Sequence, residues 1–323
     1  MIVVTGGAGF IGSAVAWKLN AEGIDDIVIV DSLGTSVKWK NLVNRRFADY
    51  LDKDDFLELV LDDAVPFDVD AVIHMGACSS TSETDADYLI ENNYRYTAQL
   101  AGWAVGRNIR FIYASSAATY GDGSMGFSDD DGVTITLRPI NMYGYSKQLF
   151  DLWALRNGLG TKIAGIKFFN VFGPNEYHKG DMRSVVHKSF GQIRETGKVK
   201  LFKSHRPDFH DGEQKRDFIY VKDCAEVIWW LLNNSEVTGI FNLGTGRART
   251  WNALTKAVFS AMGIDPEIEY IDMPESVRQH YQYFTEAKMD KLLSTGCPLR
   301  TMSLEDAVSD YVRNYLEKDS KQL

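Results

Sequence analysis

Tyr143 and Lys147 stand four residues apart in Pro139-Ile140-Asn141-Met142-Tyr143-Gly144-Tyr145-Ser146-Lys147. On a helix, residues at i and i+4 share one face, so helical structure here brings a phenol and an ammonium together. A neighbouring ammonium favours the phenolate and lowers its pKa. A tyrosine tuned in this way can act as a base near neutral pH. The spacing alone is common, and it gains weight from Ser116 in Ser115-Ser116-Ala117-Ala118-Thr119-Tyr120-Gly121. Ser116 follows an apolar run, and its hydroxyl is expected to hydrogen-bond a substrate alcohol or carbonyl beside Tyr143. Ser115 reads as an ordinary strand-end serine.

A second constellation lies at the start of the chain, in Thr5-Gly6-Gly7-Ala8-Gly9-Phe10-Ile11-Gly12. Gly6, Gly9 and Gly12 follow a short apolar run and precede a helical pattern. In that context glycines permit a tight turn and close approach of the backbone to a pyrophosphate. The helix N-terminus adds free amides and a favourable dipole. The chemistry implied is dinucleotide binding. Asp31 ends the next apolar run, about 20 residues beyond the loop, where a carboxylate accepts the adenosine ribose hydroxyls. Alone it favours NAD. Lys38 and Lys53 are placed to pair with the 2′-phosphate of NADP, although each taken singly reads as solvated surface charge. The cationic ring of an oxidised nicotinamide would act on Tyr143 in the same direction as Lys147.

The elements that must position these groups follow from hydrophobic patterning. Ile2–Thr5, Asp26–Asp31, Asp70–His74, Arg110–Ser115, Lys162–Phe168 and Ile240–Leu243 read as strands, with helices predicted at Ser13–Glu22 and Ser184–Thr196. Continuous Val/Ile runs suit a parallel sheet covered on both faces, and strands alternating with helices predict a doubly wound α/β fold of Rossmann type. Beyond about residue 170 the pattern loosens. Residues 1–172 are expected to form the dinucleotide-binding domain, with 217–244 returning to it. Residues 173–216 and 245–323 form a smaller, discontinuous substrate lobe.

Composition narrows the function classes. A net charge of -9 over 323 residues argues against a general nucleic-acid binder. The three cysteines have no metal-ligand or disulfide-framework spacing, so Cys78, Cys224 and Cys297 are expected as reduced, buried thiols and no metal site is expected. The opening Met-Ile-Val-Val-Thr-Gly-Gly has no charged leader, and runs such as Val227–Leu232 are too short to span a bilayer. The expectation is a cytosolic protein without membrane association. The paired Trp229 and Trp230 read as core and edge packing.

Together, TGGAGFIG, SSAATYG, YGYSK and RDFIYVKDCA resemble the extended short-chain dehydrogenase/reductases. HMGACSSTSETD (74–85), ENNY (91–94), FNVFGPNEYHKG (169–180), FNLGTGRA (241–248) and YQYFTEA (281–287) narrow the resemblance to the ADP-L-glycero-D-manno-heptose 6-epimerases of lipopolysaccharide core synthesis. The resemblance implies inversion at C6 of an ADP-linked heptose through transient oxidation on tightly bound NADP, with NAD as the lesser option. It implies two acid/base groups, Tyr143 and Lys179 of the HKG motif, supported by Lys147 and Ser116. It places Gly6, Gly9, Phe10, Ile11 and Gly12 on the pyrophosphate. Asp31, Ser32, Lys38 and Lys53 fall at the adenosine end, and Met75, Gly76, Ala77, Cys78, Ser79, Asn92 and Val171 also fall on the cofactor, as do Tyr143, Lys147 and Lys179. Asn170, Asp181, His187, Phe202, Arg216 and Tyr281 fall, with Ser116, on the substrate side, and a homo-oligomer is implied.

Three features depart from that family's pattern. Asp181 replaces a small hydroxyl residue, Ser32 replaces a commoner asparagine, and the Lys203–Lys215 segment is longer. The neighbouring readings are a C4-type epimerase or a dehydratase acting on another sugar nucleotide, and a non-catalytic NADP-binding sensor. Ala117 and Ala118 stand where the dehydratases carry an Asp-Glu pair, which argues against elimination. An intact Tyr143 and Lys147 argue against the sensor.

Overall fold

Val3, Val4, Val28, Ile29, Val72 and Ile73 are all fully buried, and they occupy successive positions on neighbouring strands. Side chains alternate across a strand, so both faces of this sheet must be covered. Val4, Ile29, Ile73, Ile112 and Ile166 belong to one core. Val3, Val28, Val30, Val72 and Phe111 belong to the core on the opposite face. Each such side chain contributes about 1.5–3 kcal/mol on burial, and this drives the two helical layers onto the sheet.

The computed structural model describes residues 1–278, 281–318 and 322–323. Its strands are β1 (Ile2–Thr5), β2 (Ile27–Asp31), β3 (Asp49–Asp52), β4 (Ala71–His74), β5 (Arg110–Ser116), β6 (Ala164–Phe168), β7 (Asn170–Phe172), β8 (Val199–Phe202), β9 (Lys215–Tyr220), β10 (Gly239–Leu243), β11 (Ala248–Thr250) and β12 (Ile268–Ile271). The main sheet has seven strands in the order β10-β6-β5-β4-β1-β2-β3. All its pairings are parallel. This is the doubly wound order, and its direction reverses between β1 and β4. Ligands bind such sheets in the crevice outside the carboxyl ends of the strands at that point.

Two smaller sheets build the second lobe, β11-β9-β7 and β12-β8. Their core includes Phe172, Phe190, Leu201, Phe218, Leu254 and Tyr311, and it reaches the helix that follows the glycine loop through Phe10 and Ala14. The chain rejoins the main sheet at β10, while β9 pairs with lobe strands. The first helix runs Phe10–Ala21 and starts three residues before the sequence-based expectation, because Gly9, extended, occupies its N-cap. Trp229 and Trp230 pack, partly buried, against the main core.

Candidate active site

The glycine loop turns from β1 into the Phe10–Ala21 helix. Gly6 has φ +64°, and a Cβ there would lie 2.6 Å from Gly76, so loop and β4 exit pack backbone to backbone. Among the described residues no side chain caps the helix N-terminus, and its first turn holds no acid. The end that faces the crevice is therefore free to receive an anion. Asp31, at the end of β2, accepts from the Ala8 amide at 2.9 Å and the Ser32 amide at 2.8 Å, and it pairs with Lys38 at 2.6 Å. One carboxylate thus fixes the loop and holds Lys38 beside it.

The segment after β4 is held by a residue that motif reading did not single out. Fully buried Asn93 accepts from the Cys78 amide at 2.8 Å and donates to the Cys78 carbonyl at 2.9 Å and the Ser146 hydroxyl at 3.0 Å. It ties Cys78 to the helix carrying the YxxxK pair. Buried His74 bridges Thr5 at 2.6 Å and Thr97 at 2.8 Å, and burial lowers its pKa to about 3.

That YxxxK helix runs Met142–Arg156 and is capped by the Asn141 side chain, which accepts from the Gly144 amide at 2.8 Å. Gly144 is required by contact: a Cβ would come within 2.6 Å of the Ala118 carbonyl. The helix can therefore lie directly on the turn that follows Ser116. Tyr143 hydrogen-bonds Ser116, which opposes the upward push of burial on its phenol. The phenol's pKa is raised overall, contrary to the expectation that Lys147 lowers it. The cause is burial of the phenol; the Lys147 ammonium donates to the Ala114 carbonyl at 2.8 Å. Burial lowers the Lys147 pKa to about 8, while Asp151 opposes that shift. One helical turn on, Asp151 is fully buried and accepts from Tyr113, Ser115 and Lys167 at 2.9, 2.7 and 2.6 Å. These contacts bind the YxxxK helix to β5 and β6.

Lys179 arrives from a different element, the turn Tyr177–Met182. Its ammonium sits 5.4 Å from the Phe10 ring centroid. Burial lowers its pKa, opposed by Glu176. Glu176 is 1% exposed and accepts from both the amide and the hydroxyl of Ser184, pinning the two ends of the turn that carries Lys179. His178 is held well below its usual pKa, at about 4, by burial and by the nearby charges of Lys179 and Lys38.

These groups converge on a cleft of about 480 Å³. It is lined by Gly6, Gly9, Phe10, Ile11, Gly12, Asp31, Lys38, Met75 to Ser79, Ser116, Tyr143, Lys147, Val171 and Lys179. An adjoining cavity of about 250 Å³ shares Gly6, Asp31, Lys38 and Gly76 to Cys78, and adds Ser32, Lys53 and Asn92. Every residue expected on the cofactor lines one of the two. Uncharged glycine backbone, a helix N-terminus and an acid accompanied by two lysines suit an elongated diphosphate ligand. Cys78, expected to be buried, is half-buried at this cleft, whereas Cys224 and Cys297 are buried. Lys53 is paired with Asp54 at 2.9 Å.

The expected substrate residues, Ser116 apart, lie beyond that lining. Asn170 is exposed at the start of β7, and Asp181 is exposed, its carbonyl accepting from Lys188. His187 lies on the Val185–Thr196 helix, 5.7 Å from the Tyr177 ring. Phe202 ends β8. Arg216 and Tyr281 do meet, guanidinium to ring centroid 5.2 Å, and Arg216 also stacks on Trp251 at 5.7 Å. Arg216 is 7% exposed and its polar contacts are the Lys215 and Gln282 carbonyls, so a buried cation stands here without a carboxylate partner among the described residues.

The comparisons with known proteins concern the family and the fold. A profile of the NAD dependent epimerase/dehydratase family matches residues 2–244. The chain is 64% identical over 316 residues to an ADP-L-glycero-D-manno-heptose-6-epimerase of Nitratidesulfovibrio vulgaris (strain DP4), covering 98% of each chain. Its fold is similar to the crystal structure of the Helicobacter pylori ADP-L-glycero-D-manno-heptose-6-epimerase, with TM-score 0.82, 26% identity, and 97% and 95% of the two chains covered. It is also similar to the UDP-glucose 4-epimerase of Thermus thermophilus in complex with NAD, with TM-score 0.75, 26% identity, and 96% and 97% covered.

Proposed function

The chain belongs to the NAD dependent epimerase/dehydratase family, and on that premise we propose that it is a sugar-nucleotide isomerase, interconverting ADP-D-glycero-D-manno-heptose and ADP-L-glycero-D-manno-heptose at C6. The observation that carries the reading is the convergence of Tyr143, Ser116 and Lys179 on one cleft beneath the glycine loop. A 4-epimerase or a dehydratase needs no second base from the Tyr177–Met182 turn. The likeness to a 6-epimerase extends over 98% of the chain.

The chemistry divides among the chain's own residues. A bound nicotinamide dinucleotide supplies reversible two-electron oxidation of C6. Ser116 hydrogen-bonds the C6 oxygen and holds it against Tyr143. Tyr143 and Lys179 exchange the hydroxyl proton on the two faces of C6, one removing it and the other restoring it after the carbon has inverted. Lys179 is suited to this role because burial destabilises its ammonium and lowers its pKa, against the opposing charge of Glu176. Lys147, anchored at the Ala114 carbonyl, ties the YxxxK helix to β5 and would help to hold a dinucleotide bound in the cleft that it lines. Arg216, with no acid paired to it among the described residues, takes the substrate diphosphate.

Lys38 and Lys53 beside Asp31 favour NADP over NAD, with Lys38 shared between the 2′-phosphate and Asp31. Asn170, Asp181, His187, Phe202 and Tyr281 complete the substrate side in this reading. The protein acts in the cytosol as a homo-oligomer.

The test is to incubate the purified protein with ADP-D-glycero-D-manno-heptose and follow C6 by NMR. The expected outcome is an equilibrium mixture of the two C6 epimers. An unchanged heptose, with UDP-glucose converted to UDP-galactose by the same preparation, would transfer the chain to the 4-epimerases.

A further inference from the structure

The segment between Lys203 and Lys215, expected from the sequence to be longer than in the resembling family, is firmly folded. Ser204 donates its amide to Asp211 at 2.7 Å, and Asn252 donates to the Asp211 carbonyl at 3.0 Å and to Glu213 at 2.6 Å. At its tip the Arg206 guanidinium stacks on Phe209, 5.6 Å from the ring centroid, and on Tyr283 at 5.1 Å. Asp208 grips the same guanidinium at 2.6 and 2.9 Å, and the His205 amide donates to the Tyr283 hydroxyl at 3.0 Å.

Tyr283 leads inward. Its ring meets Tyr281 edge to face at 5.3 Å, and Tyr281 covers the Arg216 guanidinium. The carbonyl of Gln282, between the two tyrosines, is itself an Arg216 acceptor. Lys215, next to Arg216, donates its amide to the Tyr283 carbonyl at 2.9 Å. Trp251 closes the far side and donates its indole N–H to the Tyr281 hydroxyl at 2.9 Å. Arg206 and Arg216 thus lie at the two ends of one stack of rings, and the orientation of Arg216 is set by rings and carbonyls.

We propose that Arg206 is a positioning residue for nucleoside-diphosphate binding: through Tyr283 and Tyr281 it holds the Arg216 guanidinium ready for the diphosphate, so that the long segment tunes affinity for the nucleotide half of the substrate. This rests on the epimerase reading only for the identity of the sugar. The requirement for a diphosphate anion comes from the buried Arg216, whose described partners include no carboxylate. Stacking leaves the Arg216 charge available, whereas a carboxylate partner would neutralise it.

The experiment uses the cofactor-loaded protein and its variants Arg206→Ala, Arg206→Lys and Tyr283→Ala. ADP is titrated in by calorimetry, and KM and kcat are measured with ADP-D-glycero-D-manno-heptose. Arg206→Ala should weaken ADP binding and raise KM by about threefold to tenfold, the scale of one or two exposed cation–π contacts, with kcat within about twofold. Lysine should recover part of the loss, because an ammonium also sits over a ring, and Tyr283→Ala should lose at least as much as Arg206→Ala. A merely structural role would lower kcat and cofactor content along with affinity. Unchanged ADP affinity and KM in Arg206→Ala, or a loss confined to kcat, overturns the proposal. Arg206 is exposed, so its variants remain informative even if Tyr283→Ala misfolds. Wild-type protein that binds ADP with this dependence on Arg206 yet leaves C6 untouched would overturn the epimerase reading and leave this one standing.

Discussion

Two groups at the cleft carry pKa shifts that suit opposite ends of a proton transfer. Burial raises the Tyr143 phenol, opposed by its Ser116 hydrogen bond, and burial lowers the Lys179 ammonium. As folded, Tyr143 therefore holds its proton and Lys179 is inclined to release one, before any substrate or cofactor charge acts. Tyr143→Phe and Lys179→Met should each slow epimerisation by about 10²–10⁴-fold, the usual worth of a general acid–base group, while cofactor remains bound. A substrate analogue carrying an aldehyde at C6 separates proton transfer from inversion, since two molecules can dismutate to alcohol and acid. Each single variant should keep part of that activity and the double variant should lose it. Wild-type epimerisation by Lys179→Met would end the two-base reading. Lys179 was pointed to by the resemblance of its HKG motif, and Tyr143 by motif spacing. Spacing could not have located Asn93 or Glu176, which act by positioning the backbone around Cys78 and the turn around Lys179.

Between elements, the carboxyl ends of β1 and β4 are joined through the imidazole of His74, set between the Thr5 and Thr97 hydroxyls. Burial depresses its pKa to about 3 against an ordinary value of 6.5. Above pH 6.5 the imidazole is neutral in both folded and unfolded chains and stability does not vary with its titration. Below it the unfolded chain takes up a proton that the fold refuses, so stability falls as pH drops from about 6.5 toward 3, by up to about 1.4 kcal/mol per pH unit from this group. Urea midpoints at about pH 7.5 and about pH 5 should therefore differ more for the wild type than for His74→Gln. Equal differences would show that His74 does not carry the effect. The element level also shows where patterning fails. Asp49-Tyr50-Leu51-Asp52 has no apolar run, yet it forms β3, because an edge strand needs only one row of backbone partners, here those of β2. Lys215–Tyr220 pairs with lobe strands and not with the main sheet, a choice set by the partners available and not by its own apolar content.

For the molecule as a whole, the cleft lies where strand order reverses, and a redox-neutral cycle would leave a nicotinamide dinucleotide bound there no reason to depart between turnovers. Protein purified without added cofactor and then denatured should release a nicotinamide dinucleotide in near-stoichiometric amount. Lys38→Ala with Lys53→Ala should weaken NADP more than NAD. A charge-assisted contact contributes about 1.5–3 kcal/mol, or roughly tenfold or more per residue, although the pairing of Lys38 with Asp31 and of Lys53 with Asp54 places the expected effect at the low end. Equal losses for the two cofactors in a binding titration would remove the basis for preferring NADP.

The features determined by the sequence alone were those that depend on local spacing. Glycines at 6, 9 and 12 permit one turn geometry, an i, i+4 pair shares a helix face, and Val/Ile runs demand burial on two sides. From these follow the doubly wound sheet, the crevice, and the catalytic candidates on the YxxxK helix. The state of those candidates was decided only by tertiary packing. Burial raises the Tyr143 phenol that Lys147 was expected to acidify, while Lys147 itself donates to the Ala114 carbonyl. Arg216 owes its surroundings of rings and carbonyls to Trp251, Tyr281 and Gln282, all far along the chain from it. Local pattern records which way a backbone can turn and which side of an element is apolar. The dielectric and the partners around a charge belong to whatever distant segment packs against it, and no spacing rule within one segment contains that information.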